Sequence, residues 1–146
     1  DDVLTKGRRW IIIRCDCLDR RLRNIMMTDR KSVLKYCLAL PDTYQDAPFH
    51  DENWQLVRYR KNKKAFAWTY EWEDGTVRVN VKVDPQWRDF WRQTYPSVIP
   101  GYHQNKEHWN TVILDGSIPD KDIKRMLMES YDLVTGITRT KHKKKV

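Results

Sequence analysis

The residues with the most chemistry in the closest spacing are Tyr102, His103, Asn105, Lys106, His108 and Trp109. They combine two imidazoles, an amide, an ammonium and two aromatic rings between a Pro-Gly pair at Pro100–Gly101 and a short β-branched run, Thr111–Leu114. Such a set suits nucleic acid. Lys106 can contact a phosphate, His103 and Asn105 can hydrogen-bond phosphate or base edges, and Tyr102 or Trp109 can stack on an exposed base. A structural alternative stands beside this reading: His108 and Trp109 pin the loop onto a sheet, and Asn105 satisfies buried backbone groups. Between the two readings, Lys106 and His103 are the stronger ligand contacts and Trp109 the stronger core residue.

Other chemistry finds less support. His103 and His108 would fall on opposite faces of a strand and well apart around a helix, with no Asp or Cys between them, so no metal site is expected. Sequence signatures of nucleophilic hydrolases, phosphate-binding loops, dinucleotide-binding folds and zinc proteases are missing. The chain is therefore expected to have no catalytic residues and no cofactor.

This stretch resembles the MmcQ/YjbR family of small bacterial proteins, which carry a G-Y-H-x-N-K-x-H-W-x-T-V segment followed by a D-G-S-[IVL]-P-D turn. Here the matching residues are Gly101, Tyr102, His103, Asn105, Lys106, His108, Trp109, Thr111 and Val112, then Asp115 through Asp120. The resemblance runs from near Met27 to near Val134. It implies a frataxin-like (CyaY-like) α+β fold, described as a double-wing DNA-binding module, and hence a non-enzymatic protein of the bacterial cytoplasm. Frataxins bind iron through a row of acidic side chains, but Asp120, Asp122, Glu129 and Asp132 do not make so dense a ridge.

The elements that must position the loop follow from patterning. Thr28 or Asp29 can cap a helix carrying Val33, Leu34, Cys37 and Leu38 on one face and stopped by Pro41; Cys37 is expected to be a buried, inert thiol. Strands are expected over Leu56–Arg60, Lys64–Trp72, Val77–Val83 and Thr111–Leu114, with a turn at 61–63 and a hairpin at Asp74–Gly75. Phe66, Trp68, Tyr70 and Trp72 alternate with Ala65, Ala67 and Thr69, and the valines with Arg78, Asn80 and Lys82. The aromatic and valine stripes are expected to share one core, leaving Arg78, Asn80 and Lys82 on a solvated face with Lys82 near the loop. Asp84–Pro85 opens a second helix with Trp87, Phe90 and Trp91 inward. A third starts at Pro119, buries Ile123, Met126, Leu127 and Tyr131 or Val134, and ends at Gly136. The predicted architecture is an antiparallel sheet of about four to five strands, with helices on one face and a helix at either end of the strand order.

Charge sets the ends apart from the middle. The net charge is +8, but residues 28–136 carry 16 of each sign, so the excess lies in residues 1–27 and 137–146. Bulk electrostatics of the folded part would thus contribute little to DNA binding. The tail lysines Lys141, Lys143, Lys144 and Lys145 join Lys82 and the loop as candidate nucleic-acid contacts. Residues 1–26, with Trp10–Ile13 strand-like and Cys15-x-Cys17 too few for zinc, are expected to be an extension or the end of an upstream domain. Residues 27–136 form the family domain, and 137–146 a basic, disordered tail. Three cysteines are an odd, sparse set that favours a reducing cytoplasm. No apolar run approaches the roughly 20 residues of a membrane helix. DNA is the expected partner; a protein-interaction or small-ligand domain is the alternative.

Overall fold

In the computed structural model, which describes residues 27–137, Asp29 starts the first element. Its carboxylate accepts the Ser32 amide at 2.9 Å, and helix α1 runs Arg30–Leu38. Expectations for Trp10–Ile13, Cys15, Cys17 and the four tail lysines lie outside the described residues. Strands follow at Thr43–Asp46 (β1), Gln55–Tyr59 (β2), Ala65–Glu71 (β3) and Val77–Lys82 (β4). Then come helix α2 (Pro85–Thr94), β5 (Val98–Pro100), β6 (Trp109–Leu114) and helix α3 (Asp120–Thr135). All six strands join one sheet in the order β1-β2-β3-β4-β6-β5, and every neighbouring pair is antiparallel.

The fold is α+β as expected, with six strands rather than four or five. Both additions are edges whose sequences hide them. β1 reads Thr-Tyr-Gln-Asp, with no apolar alternation, and β5 is only Val98, Ile99 and Pro100. Proline is tolerated at β5 because an edge strand need not donate every amide. The Pro100–Gly101 turn is thus the end of a strand. Gly101 serves a close approach, since a Cβ there would lie 2.7 Å from Trp109 Cβ and 2.9 Å from its carbonyl oxygen.

Register decides which side chains share a face. Ala67 opposes Val81, Thr69 opposes Val79, and Val79 opposes Val112, so these point together. Ala67, Val79, Val81 and Val112 form one core with Val33 and Cys37 of α1, Trp91 of α2, and Ile123, Leu127 and Tyr131 of α3. Trp68, Tyr70, Arg78, Asn80 and Thr111 occupy the intervening positions and point the other way. The aromatic and valine stripes therefore lie on opposite faces and do not share a core. Phe66 is the exception. The β2–β3 register slips between Val57 and Arg58, and this bulge turns Phe66 to the helix side, where its ring meets Tyr131 at 5.2 Å. Beside it the buried Ser130 hydroxyl donates to the Phe66 carbonyl at 2.7 Å and accepts the Lys82 amide at 2.8 Å, tying α3 to both strands.

The helices follow their patterns with two departures. Phe90 on α2 and Leu38 on α1 are exposed, while Trp91 fills the core and Tyr131 and Val134 are both buried. Burial pushes the Cys37 thiol far above its usual range, consistent with an inert role. After β6, the turn Asp115-Gly116-Ser117 is tied to β5. Asp115 accepts Ser97 Oγ at 2.6 Å, Ser117 Oγ at 2.6 Å and the Ser117 amide at 3.0 Å. Partial burial pushes the Asp115 carboxyl up, but these hydrogen bonds outweigh it and hold the pKa below the ordinary value.

A depressed carboxylate contributes stability that is present above its unfolded pKa, about 3.9, and lost as pH falls through the folded value. Asp115→Asn should therefore lower Tm most at neutral pH. The gap from wild type should narrow below about pH 3.9, as thermal melts across a pH series would show.

Candidate binding face and its cleft

Two loops cross the face that the helices leave uncovered, and each is fixed by an asparagine. Residues 47–54 are held by Asn53, whose amide oxygen accepts the Glu71 amide at 2.8 Å and Arg30 Nη2 at 2.8 Å. Its Nδ2 donates to the Glu71 carbonyl at 3.0 Å. The side chain thus pairs with β3 as another backbone segment would, which orients Phe49 and Trp54 over the sheet. Trp54 stacks on Tyr70 with centroids 4.4 Å apart, and Phe49 stacks on Trp68 at 6.1 Å.

The second loop, 101–108, is held from beneath by Asn80. That residue was expected in solvent, but it is fully buried, because Tyr102 and the aromatic layer cover it. Asn80 Oδ1 accepts Thr111 Oγ1 at 2.6 Å and Tyr70 Oη at 3.3 Å, while Nδ2 donates to the Tyr102 carbonyl at 2.8 Å. Thr111 Oγ1 in turn accepts the Tyr102 amide at 2.9 Å. Both backbone groups of Tyr102 are thus bound to buried side chains. Arg78, expected on the same solvated stripe, is also largely covered, with its guanidinium 4.3 Å from the Trp72 ring centroid.

The proposed contact residues divide into two groups. His103, Asn105, Lys106 and His108 are exposed, whereas Tyr102 is half-buried. Tyr102 packs edge-on to Trp72 at 5.0 Å and against His103 at 4.0 Å. His103 holds φ at +60°, a left-handed conformation rare for a residue with a side chain. Lys106 turns back: its ammonium donates to the Gly101 carbonyl at 3.0 Å, and its own carbonyl accepts Arg92 Nη2 at 2.6 Å. Asn105 shapes the loop by accepting the Glu107 amide at 2.8 Å. The His108 carbonyl accepts the Val83 amide at 2.7 Å. Lys82 lies opposite Trp109 in the register and so shares this face. Trp109 was expected in the core, yet it is half-buried here, edge-on to Trp68 at 6.4 Å.

Between the two loops opens a cleft of about 420 Å³ lined by Phe49, Asp51, Trp54, Trp68, His103 and Gln104. Such a volume falls within the roughly 300–1,000 Å³ of small-ligand sites. Of its lining, the candidate set had included only His103. The signal for the others was present as aromatics and an Asp-x-Asn turn in 49–54, a segment with no periodicity to draw attention to it. Asp51 Oδ1 accepts the Asn53 amide at 2.9 Å, and the Trp68 indole N–H has no hydrogen-bond partner among the described residues. No group of three or more His, Cys, Asp or Glu able to hold a metal occurs among the described residues, and no helix there is long and apolar enough to cross a membrane.

The YjbR family model matches residues 38–133, which include all six strands and both loops. The chain belongs to the YjbR family. The uncharacterized Escherichia coli protein YjbR is 35% identical over 99 residues, covering 68% of this chain and 80% of its own. Bacillus subtilis YyaQ is 26% identical over 117 residues, covering 73% of this chain and 98% of its own. Among solved structures, Deinococcus radiodurans protein DR2400 superposes with a TM-score of 0.68 at 35% identity, across 81% of this chain and 88% of that one. A Pseudomonas syringae protein gives a TM-score of 0.65 at 28% identity, across 72% and 97%. In this YjbR-family chain the candidate face therefore lies wholly within the matched segment.

The Asn80 arrangement predicts a specific cost. Asn80→Ala removes the donor to the Tyr102 carbonyl and the acceptor of the Tyr70 and Thr111 hydroxyls, while Thr111 Oγ1 keeps the Tyr102 amide. Each buried group left unsatisfied costs about 1–3 kcal/mol. Hydrogen exchange at the Tyr102 amide should accelerate more than in the helices. Trp109→Ala should cost less than the roughly 3–5 kcal/mol of a fully buried aromatic, measured by chemical denaturation.

Proposed function

We propose that this YjbR-family chain is a non-catalytic DNA-binding module that takes unpaired DNA across the helix-free face of its sheet. The observation that carries the reading is the aromatic layer on that face. It is open at the Phe49–Trp54–Trp68 cleft and flanked by the exposed His103, Asn105 and His108. Aromatic platforms of this kind hold bases by stacking, worth about 1–3 kcal/mol per base. Unpaired rather than duplex DNA is favoured because a cleft between ring walls needs a base free of its partner.

The neutral balance of residues 28–136 supports recognition by stacking and local polar contacts rather than by a strong positive field. Nonspecific, salt-dependent affinity falls to the basic ends, Lys141, Lys143, Lys144 and Lys145 among them. Among the described residues, the non-catalytic part of the reading draws on Cys37, whose thiol is buried. A frataxin-like, double-wing description belongs to the same proposal, supported by the single antiparallel sheet and the helices gathered on one face. So does a cytoplasmic location, where such DNA would be met.

Filter retention of labelled oligonucleotides over a salt series tests this. Single strands should be retained more tightly than duplex of the same length. Replacing Lys141, Lys143, Lys144 and Lys145 with Ala should flatten the salt slope by up to about 0.7 per lost phosphate contact on a single strand. Retention of neither form at any salt would contradict the proposal and favour a small-ligand or protein-interaction domain.

A further inference from the structure

We infer that the cleft selects the base it holds, and that its occupant is an unpaired guanine read by the Asp51 carboxylate. This rests on the DNA-binding reading above and adds to it a ligand and a reading residue.

The walls are apolar and aromatic: Phe49, Trp54 and Trp68. They suit a flat ring system but do not distinguish one base from another, because every base has a π-face. Discrimination must come from the polar lining, and there Asp51 differs in kind from Gln104 and His103. An ionised carboxylate only accepts hydrogen bonds. Its Oδ1 takes the Asn53 amide on one lone pair, an Asx turn that fixes the side chain. Both oxygens, Oδ1 through its second lone pair and Oδ2, so remain able to accept a pair of donors. A base lying against it must therefore present donors.

Guanine alone among the four bases presents two adjacent donors on its pairing edge, a ring N–H beside an exocyclic amine. Adenine and cytosine place an acceptor ring nitrogen beside their amine, which a carboxylate repels. Thymine places its single N–H between two carbonyls. The same charge disfavours phosphate inside the cleft. The backbone of the strand then stays outside, toward the exposed His103 and Asn105 on the rim. Backbone geometry on that rim agrees with a positioned site. His103 is held at positive φ by Tyr102, whose amide and carbonyl are both bound by buried side chains. Strain sustained in this way is found where a side chain must be aimed.

Fluorescence anisotropy on the full chain separates the outcomes, using labelled oligo-dT and the same strand with one central dG, dA or dC. The dG strand should bind about 10-fold tighter than the other three, a factor that corresponds to roughly 1.4 kcal/mol. Asp51→Asn keeps the oxygen that accepts the Asn53 amide, so the loop should fold. The variant should bring the dG strand down to the level of the others. Trp54→Ala should weaken all four. Equal affinity for the four strands, or a dG preference that survives Asp51→Asn, overturns the guanine assignment while leaving DNA binding intact. Absence of binding to every strand overturns the underlying DNA-binding reading as well.

Discussion

The buried Asn80 amide is the contact on which the arrangement of this protein depends. It sits at the middle of the sheet, opposite Trp68 on one side and Thr111 on the other. Through its bonds to Tyr70, Thr111 and the Tyr102 carbonyl it joins three strands to one loop. A polar side chain at such a position is costly unless every group finds a partner. Here that requirement is met only when Tyr102 lies across the sheet. Satisfying a buried amide and placing the 101–108 loop are therefore one event. Asn53 repeats the device at the edge of β3, where it substitutes for a backbone segment and brings Phe49 and Trp54 over the same face.

The two faces of the sheet consequently have different work. On one side, three helices bury valines and the Cys37, Trp91 and Tyr131 side chains in a continuous apolar core. On the other, rings from two strands and two loops are partly covered, and the cleft between them stays open. Stability resides chiefly in the first; the proposed recognition belongs to the second. Loops pinned at their backbone lose little freedom when a ligand binds, so contacts made by His103, Asn105 or Asp51 would be offset by little ordering cost. Arg92 of α2 extends the same restraint from outside, through the Lys106 carbonyl and Asn110 Oδ1.

Element type and order were largely legible, because capping and alternation act locally. Asp29, Pro85 and Gly136 mark helix ends through their own backbone chemistry, and the Asp74–Gly75 hairpin needs only its turn residues. What escaped depended on partners distant in the chain. The three-residue β5 exists because β6 is there to pair with it. Alternation showed that the aromatics of β3 share a face, but it could not show which face the helices cover. That choice is settled by the register with β4 and by the bulge that sends Phe66 the other way. Asn80 looked like a solvated strand residue because the ring that buries it lies 22 positions later. Among the candidate contacts, the loop was found from its composition. The cleft was not, since Phe49 and Trp54 join Trp68 only after the sheet has formed.

The central claim is that ligand meets the aromatic face and not the helix side. The most direct test follows the indole N–H signals of the tryptophans by NMR as unlabelled single-stranded DNA is added. Trp54 and Trp68 line the cleft, whereas Trp91 is buried beneath the helices with its indole nitrogen 3.3 Å from Glu129 Oε1. The account predicts that the Trp54 and Trp68 indole signals move in a saturable manner while Trp91 stays in place. Saturable shifts confined to Trp87 or Trp91, with Trp54 and Trp68 unmoved, would contradict it.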